Sequence, residues 1–240
     1  MIILALLVVA VLGACGGGSD APDLVEPPVW EARKLAAGTW AVMGSSTAAG
    51  AGATFGKGWA ALLQHDFAGS ATGLANIAKG GAVTYAGLSA SAVPLPERPL
   101  PDPAANIDRA LSLAPVLLLV SYPSNDTGVG YAVDETVNNI LAIRTLALAH
   151  SLPVIVLSSQ PRNDFPADKL AKLVQIDARL AAAVGPCFVA VRSLLADGGG
   201  KLAAQYSYDG VHPNDAGHLL IATQVRAVLE GGSCVLLPGG

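Results

Sequence analysis

The chain has 240 residues, of which 52% are hydrophobic and only 13% are charged. This length can bury one sizeable core and is short for two domains, and the apolar content excludes disorder over most of the chain. The formal net charge is −4, and aromatic residues make up 5%. Because neither a basic surface nor a set of stacking aromatics is available, we expect no nucleic-acid partner.

The first 14 residues are typical of an export signal. An unbroken apolar run covers residues 1–13 and ends in Leu12-Gly13-Ala14-Cys15. Such a run is too short to span a bilayer but matches the apolar part of a signal peptide. Its end resembles the bacterial lipobox, in which the peptide is cut before the cysteine and the thiol is acylated. The resemblance implies an exported lipoprotein, anchored through Cys15 at the periplasmic face of a bacterial membrane. No Lys or Arg precedes the run, which departs from the usual signal pattern. Ordinary secretion without acylation of Cys15 is the alternative.

The anchor accounts for one of the three cysteines in the chain. Residues 15–30, which include Gly16-Gly17-Gly18 and three prolines, predict a flexible tether, and residues 31–240 then form the single folded domain. Cys187 and Cys234 remain, and in an oxidising compartment they can form a disulfide. Two unpaired thiols are the alternative.

Beyond the tether, strand-like apolar runs alternate with helical patterns. The strands are expected at 39–44, 73–78, 115–122, 153–158 and 187–191, and the helices at 133–148, 170–184 and 215–230. We expect Asn214 to cap the last helix, which Gly231-Gly232 follows. Strands that are apolar throughout and separated by helices favour a parallel sheet covered on both faces. Five prolines between residues 89 and 103 predict a stiff loop there.

Polar residues follow the predicted strands, at the edge where a parallel sheet binds its ligands. They are Ser45 and Ser46 after the first strand, Asn76 and Gly81 after the second, and Asn125 after the third, with Asp209 and His212 near the C-terminus. Together they supply a hydroxyl nucleophile, backbone and amide donors, a base and a carboxylate. An acyl-transfer site needs that set of groups.

Four short motifs resemble those of the GDSL-type, or SGNH, hydrolase family. They are Gly44-Ser45-Ser46-Thr47 with Gly50, Asn76 with Gly81, Pro123-Ser124-Asn125-Asp126, and Asp209 with His212. The family has Gly-Asp-Ser in the first motif, Gly-x-Asn-Asp in the third and Asp-x-x-His in the last. Each motif alone is weak, but all four occur in order and cover nearly all of the chain beyond the export signal.

The resemblance implies a three-layer α/β/α sandwich, flavodoxin-like, with about five parallel strands. It implies that Ser46 is the nucleophile, His212 the general base and Asp209 the carboxylate that orients the imidazole. The backbone N–H groups of Ser46 and Gly81 and the side-chain amide of Asn125 would hold the oxyanion. We expect neither a metal nor a cofactor.

Two positions depart from the family motifs. Ser45 stands in the position of the usual Asp, which places a second candidate nucleophile beside Ser46. Pro123 replaces the glycine of the third motif, so φ is fixed there and one backbone N–H is lost. Since Asn125 acts through its side chain, we expect Pro123 to reshape the rim of the substrate site without abolishing activity.

Asp126 and a group of Asp and His residues near the C-terminus have possible roles outside the catalytic set. Asp126 is expected to fix its loop by hydrogen bonds to backbone amides, with no catalytic part. Asp209, His212, Asp215 and His218 could form a metal cluster. We reject the metal site because Pro213 and the start of the last helix put His218 about a turn and a half away.

The expected reaction is hydrolysis of a carboxylic ester through an acyl-serine, by a monomer. The substrate would be a small-molecule or glycan ester, such as an acetylated carbohydrate or a short-chain acyl ester. Arg162 and the loop 89–103 are expected to border the pocket, and an arginine there favours an anionic or sugar-bearing substrate. Helix capping or a surface salt bridge is the alternative role of Arg162. Lysophospholipase or thioesterase activity, or carbohydrate binding without catalysis, are the alternative functions.

Overall fold

Seven strands and eight helices make up the computed structural model, which describes residues 31–122 and 124–238. The strands are β1 (Arg33–Lys34), β2 (Gly38–Gly44), β3 (Ala71–Asn76), β4 (Leu117–Ser121), β5 (Val154–Leu157), β6 (Phe188–Val189) and β7 (Val235–Leu236). The helices are α1 (Trp59–Asp66), α2 (Thr84–Gly87), α3 (Ile107–Ser112), α4 (Asn125–Val129), α5 (Val133–Ala149), α6 (Ala167–Val184), α7 (Arg192–Leu195) and α8 (Asp215–Glu230). Short 3-10 turns lie at Gly185–Cys187 and Ala204–Tyr206.

Five of these strands form the central sheet, in the order β3-β2-β4-β5-β6, and every neighbouring pair is parallel. Counted from β2, this order is 2-1-3-4-5, the flavodoxin order. The direction of winding reverses between β2 and β4. A sheet of this kind binds its ligand at that reversal, beyond the carboxyl ends of the strands.

Helices cover both faces of the sheet. Successive side chains of each strand point to opposite faces, so each strand contributes to both buried clusters. On β2, Trp40 and Val42 belong to a core cluster that includes residues of α1 and α8. Ala41 and Met43 point to the opposite face, where the core cluster includes residues of α3, α5 and α6. The predicted three-layer architecture with a five-stranded parallel sheet is therefore confirmed.

The last helix matches its prediction in bounds and cap: the backbone N–H of Gly217 donates to Asn214 Oδ1 at 3.0 Å. The loop 89–103 contains no helix or strand, as its prolines predict. Five short helices of four to eight residues each were not predicted: α1, α2, α3, α4 and α7. One or two turns are too short to show a helical period. The last predicted strand, 187–191, is also too long at both ends: a 3-10 turn occupies Gly185–Cys187, and β6 ends at Val189, shortly before α7 begins at Arg192.

A disulfide joins Cys187 to Cys234 across 47 positions, with 4.9 Å between the two Cα atoms. Cys187 lies just before the edge strand β6, and Cys234 lies just before β7, which pairs with β1. The bridge therefore holds the C-terminal segment beyond α8 against the edge of the main sheet.

The export signal, Cys15, the tether and Pro123 lie outside the described residues, so the expectations for them stay predictions. Within the described part of the chain, no helix combines the length and the apolar character needed to cross a membrane.

Replacing both bridged cysteines by serine should lower the free energy of unfolding. In the chain-entropy model, a closed loop of this size stabilises the fold by about 4 kcal/mol, and strain in the bridge reduces that figure. Urea unfolding of the oxidised wild type and of the double variant measures the difference, with reduced wild type as the control. Peptide mapping without reductant tests the bridge itself, and finding both cysteines free to alkylation would contradict it.

Candidate active site

The turn that carries Ser46 begins at Gly44, where β2 and β4 lie too close together for a side chain. Gly44, the last residue of β2, has a φ of 153°. A Cβ at Gly44 would lie 2.0 Å from the carbonyl oxygen of Ser121 and 2.8 Å from Ala48 Cβ, so no side chain fits there. The next residue, Ser45, donates its backbone N–H to the same Ser121 oxygen at 3.1 Å. The chain then turns off the sheet at the point where the winding reverses.

Ser46, His212 and Asp209 form a continuous hydrogen-bonded chain. His212 Nε2 lies 2.9 Å from Ser46 Oγ, and His212 Nδ1 lies 2.8 Å from Asp209 Oδ2. The other carboxylate oxygen of Asp209 accepts the backbone N–H groups of Val211 and His212, at 2.9 and 2.8 Å. The tight turn from Asp209 to His212 thus brings carboxylate and imidazole together, as their spacing predicts.

The Asp209 carboxylate is held in its ionised form. Burial opposes ionisation, but hydrogen bonds from the His212 ring and from the backbone of His212 and Val211 lower the pKa of Asp209 to about 2. An ionised carboxylate at this place fixes the imidazole tautomer, with the proton on Nδ1 and the lone pair of Nε2 facing Ser46. That arrangement lets His212 accept the Ser46 proton.

Ser45 does not take part in this chain. Its side chain is fully buried, and within the described residues its hydroxyl has no hydrogen-bond partner. Ser46 is partly exposed and contacts His212. The geometry therefore favours Ser46 over Ser45 as the nucleophile.

The expected oxyanion donors lie in the turn after β2 and beyond the ends of the two strands that flank it, β3 and β4. Gly81 follows β3, has a φ of 77°, and faces open space. Across the described residues, no hydrogen bond occupies the backbone N–H of Ser46 or of Gly81. Asn76 Nδ2 donates to the carbonyl oxygen of Ala48 at 2.7 Å, which ties the end of β3 to the Ser46 turn. Both backbone N–H groups are thus available to an oxyanion.

Asn125, the first residue of α4, is held at both ends of its amide. Its Nδ2 donates to the carbonyl oxygen of Ala82 at 2.9 Å, and its Oδ1 accepts a long hydrogen bond from Arg162 Nη1 at 3.5 Å. A side-chain amide carries two N–H bonds, so one remains for a ligand. Gly81, Asn125 and Arg162 line one cavity of about 310 Å³.

Arg162 takes both of the roles considered from the sequence. It lines that cavity, and it also forms a two-pronged ion pair with Asp164, with N–O distances of 2.9 and 2.6 Å. Its guanidinium lies 4.5 Å from the centre of the Phe165 ring. The loop 89–103 does not line this cavity, contrary to expectation. Its Arg98 instead binds Glu135 of α5 at 2.7 Å.

Asp126 fixes its loop, as predicted. It is buried, and its Oδ1 accepts the backbone N–H of Thr84 at 2.9 Å. Its Oδ2 accepts the Thr84 hydroxyl and, at 3.4 Å, the Thr136 hydroxyl. Burial raises the pKa of Asp126 even though these bonds oppose the rise.

The residues of the considered metal cluster do not converge. His218 Nδ1 accepts the backbone N–H of Trp59 at 3.3 Å, and His218 Nε2 donates to the Ala51 carbonyl at 3.0 Å, so neither nitrogen is free. Asp215 binds the backbone N–H of Thr54 at 2.7 Å and Lys57 Nζ at 3.0 Å. No group of three or more potential metal ligands occurs in residues 31–122 and 124–238.

Gln160 was missed by the sequence analysis. It lies just beyond β5 and is buried, and its side chain contacts both Thr47 and Val211. Arg162 was singled out beyond the fourth predicted strand, but Gln160, which lies closer to the end of that strand, was not. The rule that polar residues after strand ends form the site points to Gln160 as well.

Comparisons with known proteins identify related families and folds. A model of the GDSL-like Lipase/Acylhydrolase family matches residues 42–220. A GDSL-like lipase from Bacteroides thetaiotaomicron is 21% identical, with a TM-score of 0.58 over 80% of this chain and 88% of its own. An esterase from Pseudoalteromonas sp., in a structure inhibited by monoethylphosphonate, is 19% identical with a TM-score of 0.50, over 80% and 97%. An acetyl xylan esterase is 16% identical with a TM-score of 0.61, over 80% and 99%. No curated protein sequence matches. At these identities the structures show a shared fold.

Ser46→Ala should abolish labelling by a fluorophosphonate probe and lower the rate of ester hydrolysis by at least about 10⁴-fold. Ser45→Ala should retain both labelling and hydrolysis, at a reduced level. Its melting temperature should not fall, because the variant removes a buried hydroxyl that has no partner. Labelling and thermal unfolding of both variants make the comparison. Equal loss of labelling in two folded variants would overturn the choice of Ser46.

Stability should fall as the pH drops from 7.5 to 5.5, through His218. Burial lowers the pKa of His218 in the folded state, whereas an unfolded histidine has a pKa of about 6.5. The unfolded state therefore takes up the proton first, so the stability that His218 contributes is present above pH 6.5 and declines below it. Urea unfolding at several pH values measures this decline.

The control for this measurement is His218→Gln, which keeps one donor and one acceptor but does not titrate. The variant should lose stability at pH 7.5 and show a weaker decline toward pH 5.5; an equal decline in both proteins would contradict the assignment. The range stops at pH 5.5, because burial raises the pKa of Asp126 and Asp177, whose titration has the opposite sign.

Proposed function

The chain belongs to the GDSL-like lipase/acylhydrolase family, and from that membership we propose that it hydrolyses carboxylic esters through an acyl-serine intermediate. The observation that carries the proposal is the hydrogen-bonded chain of Ser46, His212 and Asp209, with contacts of 2.9 and 2.8 Å. Nucleophile, base and orienting carboxylate are within reach of one another before any substrate binds.

In the acylation step, Ser46 Oγ attacks the ester carbonyl carbon while His212 Nε2 takes the hydroxyl proton. The carbonyl oxygen becomes an oxyanion, which the free N–H groups of Ser46 and Gly81 and the second Nδ2–H of Asn125 stabilise. The C–O bond to the alcohol then breaks, and His212 returns the proton to the departing oxygen. In the second half, His212 deprotonates water, which attacks the acyl carbon. The acyl C–Oγ bond then breaks, the acid leaves, and His212 returns the proton to Ser46 Oγ.

We propose that the substrate is a short-chain acyl ester, with an acetylated carbohydrate as the leading candidate. The cavity next to the oxyanion donors is about 310 Å³, near the lower end for small-molecule sites, and is lined by Arg162, Lys169 and Phe165 among others. Asp164, which pairs with Arg162, also lines the cavity, and charged groups of both signs beside an aromatic ring suit a polar alcohol such as a sugar. An acetyl xylan esterase with the same fold supports this choice.

A second candidate is a lysophospholipase- or thioesterase-type reaction on a longer acyl chain. A cavity of about 410 Å³ lies beside the Ser46 turn, and apolar residues such as Ala61, Leu74 and Phe55 line it. Phe55 is fully exposed. An acyl chain laid along this cavity would bury that ring.

We also propose that the protein is exported, is anchored through an acyl chain on Cys15 at the periplasmic face of the membrane, and acts as a monomer on glycan or small-molecule esters. The lipobox-like sequence supports the anchor. A disulfide between Cys187 and Cys234 is in keeping with an oxidising compartment.

The activity can be tested with a fluorophosphonate probe and a panel of acetyl-sugar, short-chain aryl and long-chain aryl esters. An active serine reacts with the probe, whereas a carbohydrate-binding protein without catalysis does not. We expect labelling and the highest kcat/KM on acetyl or other short-chain esters. The highest kcat/KM on long chains would favour the second candidate, and a wild type that neither labels nor hydrolyses any ester would refute the proposed function.

A further inference from the structure

We propose that Gln160 is a positioning residue that sets the separation of Ser46 Oγ and His212 Nε2. Its side chain bonds the turn that carries the nucleophile to the loop that carries the base. The inference rests on the proposed function, because it concerns the same Ser46–His212 pair.

Gln160 uses both ends of its amide to join the two segments. The Thr47 hydroxyl donates to Gln160 Oε1, and Gln160 Nε2 donates to the carbonyl oxygen of Val211 at 2.5 Å. Thr47 directly follows Ser46, and Val211 directly precedes His212. Across the described residues, no other side chain hydrogen-bonds both to a sequence neighbour of Ser46 and to one of His212.

The two segments need such a link because they come from different parts of the fold. The Ser46 turn continues β2 in the middle of the sheet, whereas the loop with Asp209 and His212 belongs to no strand of that sheet. One further bond supports the loop from the same side: Asn163 donates its backbone N–H to the Gly210 carbonyl at 2.8 Å. That bond does not reach the Ser46 turn. His218 and Asp215 tie the start of α8 to the chain at Ala51 and Thr54, and Gln160 makes the side-chain link nearest to the reacting residues Ser46 and His212.

Gln160 is buried, with 3% of its surface exposed. Thr47 and the neighbouring Ser159 are buried to a similar extent, with 2% and 3% exposed. The Thr47–Gln160 hydrogen bond is buried and the Gln160–Val211 hydrogen bond is partly buried, and hydrogen bonds in such surroundings are stronger than in water. Gln160 lines neither the cavity at the oxyanion donors nor the apolar cavity beside the Ser46 turn. Its loss should therefore act on the chemical step and leave substrate binding unchanged.

Ser159 supplies a matched control. It is equally buried, and its backbone N–H and hydroxyl both bind Asp177 in α6, at 2.9 and 2.8 Å. Ser159→Ala removes a buried hydrogen bond one residue from Gln160 without touching either catalytic segment. A merely structural role would make the two positions equivalent.

The test compares Gln160→Leu with Ser159→Ala by steady-state kinetics on a short-chain aryl ester, fluorophosphonate labelling rates and thermal unfolding. Misplacing reacting groups by about 1 Å costs on the order of 10²-fold in rate. For Gln160→Leu we expect kcat and the labelling rate to fall about 10- to 100-fold with KM within about twofold. Ser159→Ala should keep kcat within about twofold of wild type, whatever its melting temperature.

Thr47→Val gives a second route if Gln160→Leu does not fold, because it breaks the same link from the other end with little change in shape. It should lower kcat and the labelling rate with KM retained. If both variants fold, their combination should be no slower than the worse single variant.

Wild-type kcat in folded Gln160→Leu, or in folded Thr47→Val where the first variant cannot be made, would overturn the inference. Equal losses in Ser159→Ala would do the same. Wild-type protein that shows no hydrolysis and no labelling would instead refute the proposed function, so the two failures are distinguishable.

Discussion

The close approach of β2 to β4 at Gly44 is the constraint on which the catalytic edge depends. The space left there is too small for a Cβ, because the carbonyl oxygen of Ser121 fills it. The same oxygen accepts the Ser45 N–H, so Ser45 is drawn into the interior and Ser46 follows it on the open side of the turn. Which of two adjacent serines can react is therefore decided by backbone packing at the point where the sheet reverses its winding.

The other groups reach Ser46 through a set of buried or partly buried polar contacts at the same edge. Asn76 ties the end of β3 to the turn, Asp126 pins α4 to α2, and His218 holds α8 to the loop after Ser46. Between the helices the buried side chains of the sheet form two hydrophobic clusters, one on each face, and these polar contacts lie near the carboxyl ends of the strands. The apolar core supplies the free energy of folding. The polar contacts at the edge select one arrangement of the loops, since a buried polar group without a partner is costly.

The sequence was most informative where one physical signal dominates. Continuous apolar runs predicted all five strands of the main sheet, and Asn214 with the two glycines after Glu230 predicted the last helix to the residue. Short helices such as α3 and α4 contain fewer than two turns, so their sequences show no helical period of apolar residues. Gln160 could be placed at a strand end, but its two partners lie 113 and 51 positions away in the chain. Such a contact exists only once the sheet has brought the loops together. The ion pair of Arg162 with Asp164, two positions on, involves a choice of rotamer that sequence spacing leaves open.

The pairing of β1 with β7 determines where the N-terminal part of the chain joins the domain. Residues 33–36 share a surface with Pro115 and Pro153, which lie at the amino ends of β4 and β5. The chain therefore enters the domain on the side opposite to Ser46. If Cys15 is acylated as proposed, the tether joins the domain on that amino side, at the opposite end of the strands from the triad. The point of attachment therefore leaves the active-site edge uncovered, and a bulky ester-bearing polymer can approach it without passing the tether.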